Sequence, residues 1–425
     1  MPSRLTGRLA APTIRLMTSR PIRRLASLVA VLLLLQSAGM AIGHHGGQPI
    51  SSFLDCNRPG IVPPRCKSVA NDLPHSVFFD GTLTDDLAVA LRDSLAEDYD
   101  PTDLEAFETT ELTEDTDVIA YAQDYGDLGA AAWVFCPRDS PQGTNAEGDR
   151  WCQMQEMHFN LDSRFAVFFD DDGSRDHVAC HELGHTVGLL HWGNPPNSDG
   201  PPAATCMNAD TPNGPTVLHQ NDIDHMNAYH YVAPPPSRRL RLVRAPTDPM
   251  ALLADAGVEA LEAERYASLP AMTRASDAVV RGTVVGVAPG RSFGESDGAP
   301  LHYAAATLRI DEVLSGSPAT GDDGEVLLEI PLFDGIESIG PLESSLSGGE
   351  GIFFLRSKGS SAREAGLPWA EQQADAAYHR LVAFGAVVGH AAGLASAGND
   401  ELGVLAELDG LPFADALARV REAAE

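Results

Sequence analysis

Positive charge is scarce in this chain: 29 Lys and Arg stand against 60 Asp and Glu over 425 residues, a formal charge of −31. Residues 1–43 hold six of the basic residues and none of the acids, so the remainder carries 23 − 60 = −37. A surface of that sign repels nucleic acid and anionic membranes, which argues against both as partners. Lysine is nearly missing, with only Lys67 and Lys358, and nothing functional follows from that. Cysteine stops at position 206 and no C-x-x-C pair occurs, which removes the usual support for a cysteine-ligated metal. No period of about 20–50 residues repeats, so a solenoid is excluded. No apolar run reaches the roughly 20 residues that span a bilayer. With 44% hydrophobic residues the composition is that of a globular protein, not a disordered one.

The N-terminus reads as a targeting segment. Arg4, Arg8, Arg15, Arg20, Arg23 and Arg24 precede the apolar "LASLVAVLLLL" (Leu25–Leu35) and the small residues of "QSAGMAIG". That is the layout of a signal peptide over residues 1–43, cleaved after Ala41 or Gly43; an uncleaved anchor is the alternative. Export implies a secreted, extracellular protein without stable membrane association after cleavage. In that setting Cys56, Cys66, Cys136, Cys152, Cys180 and Cys206 read as disulfides, and neighbours along the chain suggest the pairs 56–66, 136–152 and 180–206.

The length exceeds what one hydrophobic core usually serves, so two domains are expected. A proline-rich stretch, "APPPSRRLRLVRAPTDP" (233–249), marks a linker between residues 44–232 and 250–425. In the first part "SVFFD" and "MQEMHFNL" read as strands, and "DVIAYA" and "AAWVFC" as strands of mixed burial. "TDDLAVALRDSLAEDY" reads as an amphipathic helix, with Leu87, Leu91 and Leu95 four apart behind a Thr84 or Asp85 cap. These make an α+β layer. The second part opens with an expected helix, "ALLADAGVEALEAERYA". It continues as β-type runs, "DAVVRGTVVGV", "YAAATLRIDEVLSG", "GEVLLEI", "GIFFL" and "YHRLVAF", and closes on one or two helices, which predicts a small barrel or sandwich.

The chemistry concentrates in "HELGHTVGLLH", residues 181–191. On a helix, His181 and His185 project from one face a turn apart and can share one metal ion. Glu182 points beside that ion, where a base would reach a metal-bound water. Gly188 can take a positive φ and end the helix, turning the chain so that His191 returns as the third ligand. Three imidazoles and one open coordination position describe a catalytic zinc site, not a closed structural one.

This segment resembles the metzincin signature at all five fixed positions. "ATCMNAD" supplies Met207 where the family has its methionine turn, and "VLHQNDIDHMNAYHY" is similar to the matrixin segment in which Asp222 and Ile223 open the last helix and Tyr229 ends it. The resemblance implies an α+β metzincin-like catalytic domain with a twisted mixed sheet and long helices. It also implies a zinc endopeptidase acting on protein or peptide substrates, with Glu182 as general base and Met207 as a hydrophobic floor. Tyr229 is either an oxyanion stabiliser or a core residue closing the helix. Two departures stand out: Trp192, where matrixins carry a small or polar residue, and a cysteine beside Met207. Cys180 precedes His181 and Cys206 precedes Met207, so a bridge between them would tie the metal helix to the methionine turn. A secreted zinc-containing binding or adhesion protein is the alternative; the intact Glu182 argues against it.

Other motifs have two readings each. "PPRCKS" resembles the matrixin cysteine switch at Cys66, or Cys66 pairs with Cys56. "DDDGSRD" (Asp170–Asp176) offers ligands for Ca2+, or a capped helix start. His219, His225 and His230 read as surface or core residues. The tail, with Gly282 and Gly316 among its strands, resembles the OB-like barrel of netrin-type modules and tissue inhibitors of metalloproteinases. The alternative is an unrelated small β domain that serves as a spacer or binds cell wall or substrate; on either reading the tail is expected to bind substrate, a cell surface or the protease domain, as a recognition or autoinhibitory module.

Overall fold

Six segments assemble into a mixed sheet: β1 (Pro74–Phe79), β2 (Glu105–Thr109), β3 (Val118–Gln123), β4 (Ala130–Phe135), then, after a small hairpin of β5 (Gln142–Thr144) and β6 (Arg150–Cys152), β7 (Gln155–Asn160) and finally β8 (Glu259–Glu262). Their order is β2-β1-β3-β7-β4-β8. The first four of that order run parallel, β4 is antiparallel to β7, and β8 is antiparallel to β4. The computed structural model describes residues 69–137, 140–144, 150–189, 191, 205–208, 213–228, 259–262, 264, 266–295, 299–321, 323–333, 339–389, 393, 395–397 and 404–425, all in the unit His45–Glu425. The expected signal peptide, Cys56, Cys66, Trp192, Tyr229, His230 and the linker 233–249 lie outside the described residues.

One face of this sheet is covered by helices. In α1 (Asp85–Ser94) the Thr84 hydroxyl accepts the Leu87 N–H at 3.3 Å, capping the helix, and its buried Leu87 and Leu91 continue into Leu95, the first residue of a π-helical turn (Leu95–Tyr99). Helix α2 (Asp172–Thr186) packs against α1 and carries Val178, Ala179 and Leu183 into the same core as Ala132, Val134, Met157 and Phe159 of the sheet. A shorter helix, α3 (Gln220–Ala228), follows.

Strand β4, "AAAWVF", is buried at every position. Ala132 and Val134 face the helices, whereas Trp133 and Phe135 pack with Tyr125, Leu301 and Tyr303 on the other side. Covered on both faces, the strand has no polar alternation to display.

That second cover is the mainly-β region. It begins with a short helix, α4 (Leu269–Ala275), and the long hairpin β9 (Ala278–Phe293) and β10 (Leu301–Gly316). β11 (Glu325–Leu332), α5 (Ile339–Leu346), β12 (Glu350–Ser357), α6 (Lys358–Glu364), α7 (Trp369–Asp375), β13 (Tyr378–Gly389), β14 (Ala395–Ala397) and the terminal α8 (Phe413–Ala424) complete it. The strands pair in the order β11-β10-β9-β12-β13-β14, and a parallel pairing of Leu327–Leu328 with Tyr378–His379 joins β11 to β13, closing five strands into a ring. The five β-type runs expected in the sequence are all strands.

Buried polar bonds join the two regions. Tyr303 donates its hydroxyl to the Tyr125 carbonyl at 3.0 Å, Arg380 reaches Asp127 at 2.6 Å, and Arg164 pairs with Asp375. Lys358, one of the two lysines, is fully buried on Glu329 at 2.8 Å and over the Tyr303 ring. No described helix is long and apolar enough to cross a membrane.

One expected element is corrected. Glu259–Glu262, placed inside a helix by its alanine, leucine and glutamate content, is a strand. Pairing with the exposed edge of β4 outweighs a local helix preference of a few tenths to about 1 kcal/mol per residue.

Candidate metal centre

Helix α2 starts where Asp171 accepts the Ser174 N–H at 2.9 Å, so an acid of the "DDDGSRD" run serves as the cap. It ends on a Schellman turn: Leu189 N–H donates to the Gly184 carbonyl at 2.9 Å and Gly188 N–H to the His185 carbonyl at 3.1 Å. Gly188 has φ +97°, the left-handed geometry expected of it, and a Cβ there would lie 2.7 Å from Val69 Cγ1. The turn returns His191 to the helix.

The three expected ligands meet. Nε2 of His181 lies 2.8 Å from that of His191 and 3.0 Å from that of His185, and His185 and His191 are 3.0 Å apart. Nitrogens bound tetrahedrally at about 2.0–2.1 Å would be about 3.3 Å apart, close to this spacing. His181 Nδ1 bonds the Cys206 carbonyl at 2.7 Å and His185 Nδ1 the Leu189 carbonyl at 2.8 Å. A carbonyl only accepts, so each Nδ1 holds the proton and each Nε2 turns a lone pair inward. Lone pairs converging in a buried site repel one another until a cation lies between them. The donor set therefore fits a divalent metal ion, and these three residues form the one group among the described residues able to hold one.

Glu182 is fully buried, and neither carboxylate oxygen has a hydrogen-bond partner among the described residues. Burial alone holds its carboxyl well above the usual range. A bound cation nearby opposes that shift by favouring the carboxylate.

Cys206 and Met207 support the centre from below. The Cys180–Cys206 disulfide, with Cα atoms 5.9 Å apart, joins the residue before His181 to the residue whose carbonyl orients the His181 ring. Met207 is buried against Gly184: a Cβ on that glycine would stand 2.3 Å from the methionine sulfur. The Thr205 hydroxyl donates to Asp222 at 2.5 Å and accepts the Met207 N–H at 3.2 Å, which ties the segment to the start of α3. Asp222 also accepts the His219 N–H at 3.1 Å, capping that helix. The second expected disulfide, Cys136–Cys152, is present as well.

Several supporting residues escape a reading of the motif. Gly184 is one; a glycine inside a helix costs about 1 kcal/mol against alanine, so its presence there signals a close approach. His75 and Gln155 are others. His75 Nε2 bonds the Thr186 hydroxyl at 2.8 Å and Gln155 donates to the Thr186 carbonyl at 2.7 Å, anchoring the end of α2 to the starts of β1 and β7. His177, one turn before His181, is used structurally: its Nδ1 donates to the Pro215 carbonyl at 2.7 Å. His219 accepts the Asn221 N–H through Nδ1 and lies apart from the three ligands.

Compared with protein-family models and with curated proteins, the chain matches none.

Proposed function

We propose that this chain is a secreted zinc-dependent endopeptidase of metzincin type. The observation that carries the reading is the convergence of His181, His185 and His191 Nε2 beside a buried carboxylate, Glu182, that no other described group engages. A structural metal site has no use for an unpartnered buried acid, whose desolvation is costly. His181, His185 and His191 would hold the zinc, which supplies an acidified water and an electrophile for the scissile carbonyl.

Glu182 then removes a proton from the attacking water as its oxygen bonds to the carbonyl carbon. It delivers that proton to the amine nitrogen as the C–N bond breaks. Met207, packed under the helix at Gly184, keeps the ligand platform in place and takes no part in bond changes.

The mixed sheet with α2 packed on it supports a metzincin-like catalytic region, and the five-strand ring supports an OB-like barrel behind it. The two disulfides fit an oxidising compartment. Together with the signal-like N-terminus they support secretion.

Glu182→Gln tests the assignment. It keeps the shape of the side chain but cannot accept the proton, so hydrolysis of casein or a peptide library should fall by about 10²–10⁴-fold with zinc content unchanged. An inactive wild type with zinc bound would favour the binding-protein alternative.

A further inference from the structure

Strand β8 comes from beyond the proline-rich stretch, yet it pairs with the first sheet. Glu259, Ala260, Leu261 and Glu262 stand opposite Val134, Trp133, Ala132 and Ala130 of β4, with the register broken between Ala130 and Ala132. Without β8, β4 would present a row of unpaired N–H and C=O groups, the template on which an extended polypeptide adds as a strand.

That edge borders the metal helix. Ala132 and Val134 share a core with Val178, Ala179 and Leu183 of α2, and the backbone of β8 comes within 8 Å of α2, Cα to Cα. The register sets the direction. Glu259 is opposite Val134, Val134 opposite Met157, and Gln155 at the same end of β7 holds the Thr186 carbonyl. The Glu259 end of β8 therefore lies at the end of the sheet to which the His185-bearing turn of α2 is tied.

The far end of β8 is pinned. Glu264 receives Arg380 at 3.0 and 3.2 Å and Arg356 at 2.9 Å, and Arg380 also holds buried Asp127, three residues before β4. A four-residue ladder with a break in it opens locally at small cost, while the anchor keeps the segment close enough to return.

We propose that Glu259–Glu262 is an autoinhibitory strap, a resident strand that keeps an extended peptide off the β4 edge beside the metal helix. This rests on the peptidase reading for its consequence but not for its test. Two observables are measured on the full-length, zinc-loaded protein: cleavage of a fluorogenic peptide library, and binding of a fluorescein-labelled peptide of residues 258–266, VEALEAERY. Adjacent residues of a strand point their N–H groups to opposite sides, so one of Ala260→Pro and Leu261→Pro must remove a ladder bond.

In that variant the labelled peptide should bind where wild type does not, and cleavage should rise by about 5–150-fold, the range of ordinary coupling between sites. Excess unlabelled peptide should then lower the rate again. Glu264→Gln, which loosens the anchor and leaves the strand intact, should shift both observables the same way by less. Peptide binding without any cleavage would support the strap and remove the peptidase reading. Folded proline variants that neither bind the peptide nor gain activity would overturn the strap. So would proline variants that fail to fold combined with a Glu264→Gln protein indistinguishable from wild type, because the strand would then be a permanent part of the core.

Discussion

On the zinc reading proposed above, alanine at position 188 would act on the metal without touching a ligand. Gly188 combines φ +97° with a position where a Cβ would meet Val69 Cγ1 at 2.7 Å. Two costs result. A residue with a Cβ in left-handed backbone costs about 1–3 kcal/mol. Overpacking against Val69, which is buried, adds another ~1–3 kcal/mol. The chain can escape both by opening the turn, but His191 follows three residues later and leaves with it. The strain therefore appears as lost zinc affinity. At about 1.4 kcal/mol per factor of ten, a combined ~2–6 kcal/mol weakens binding by roughly thirtyfold or more.

Competition with a chromophoric chelator reads this directly, with far-UV circular dichroism to confirm that α2 persists. Val69→Ala separates the two costs. It removes the clashing methyl but leaves the backbone strain, so Gly188→Ala should cost less in that background, with a coupling of about 0.5–3 kcal/mol in the double-mutant cycle. Wild-type zinc affinity in Gly188→Ala would refute the reasoning at its root. A coupling of zero would show that Val69 is not the obstacle.

Further outcomes follow from the same geometry. Alanine at any one of His181, His185 or His191 should drop zinc well below one per chain by elemental analysis; full retention in two of the three would remove the ligand assignment. Cys180→Ala with Cys206→Ala opens a bridge with a sequence separation of 26 and should cost about 3–4 kcal/mol in denaturant unfolding, with loss of zinc at lower denaturant than the parent. Unchanged unfolding would mean that the helix and the methionine segment do not depend on the bridge. His379 is buried with neither ring nitrogen bonded among the described residues, and burial, opposed by Asp277, lowers its pKa from 6.5 to about 4. The unfolded chain takes up this proton near pH 6.5 and the folded chain only near pH 4, so the stability due to a neutral His379 is lost as pH falls across that window. His379→Leu should therefore lose less stability than wild type between about pH 7 and about pH 4.5 in urea titrations; parallel curves would exclude His379 as a source of acid sensitivity.

Local features are legible in the residues alone. His181 and His185 share a face because a helix turns every 3.6 residues, and Gly188 ends that helix because a residue without a Cβ takes φ > 0 freely. The Leu87, Leu91, Leu95 stripe and the five β runs of the tail are legible for the same reason: their periods express burial on one side of one element. The pairs 136–152 and 180–206 were visible as chain neighbours, and both are bridged.

The remaining contacts depend on folding, because the partners are far apart in the chain. Met207 needs the space left by Gly184, and His181 takes its tautomer from the Cys206 carbonyl, 25 residues away. Thr186 is held by His75, 111 residues before it. The sequence "EALE" carries a helical preference and becomes a strand because an unpaired edge at β4 satisfies its backbone better than a short isolated helix would. β4 reads as a strand of mixed burial and is instead buried at every position, since nothing within six residues announces that Trp133 and Phe135 will be covered by a second region arriving more than 160 residues later.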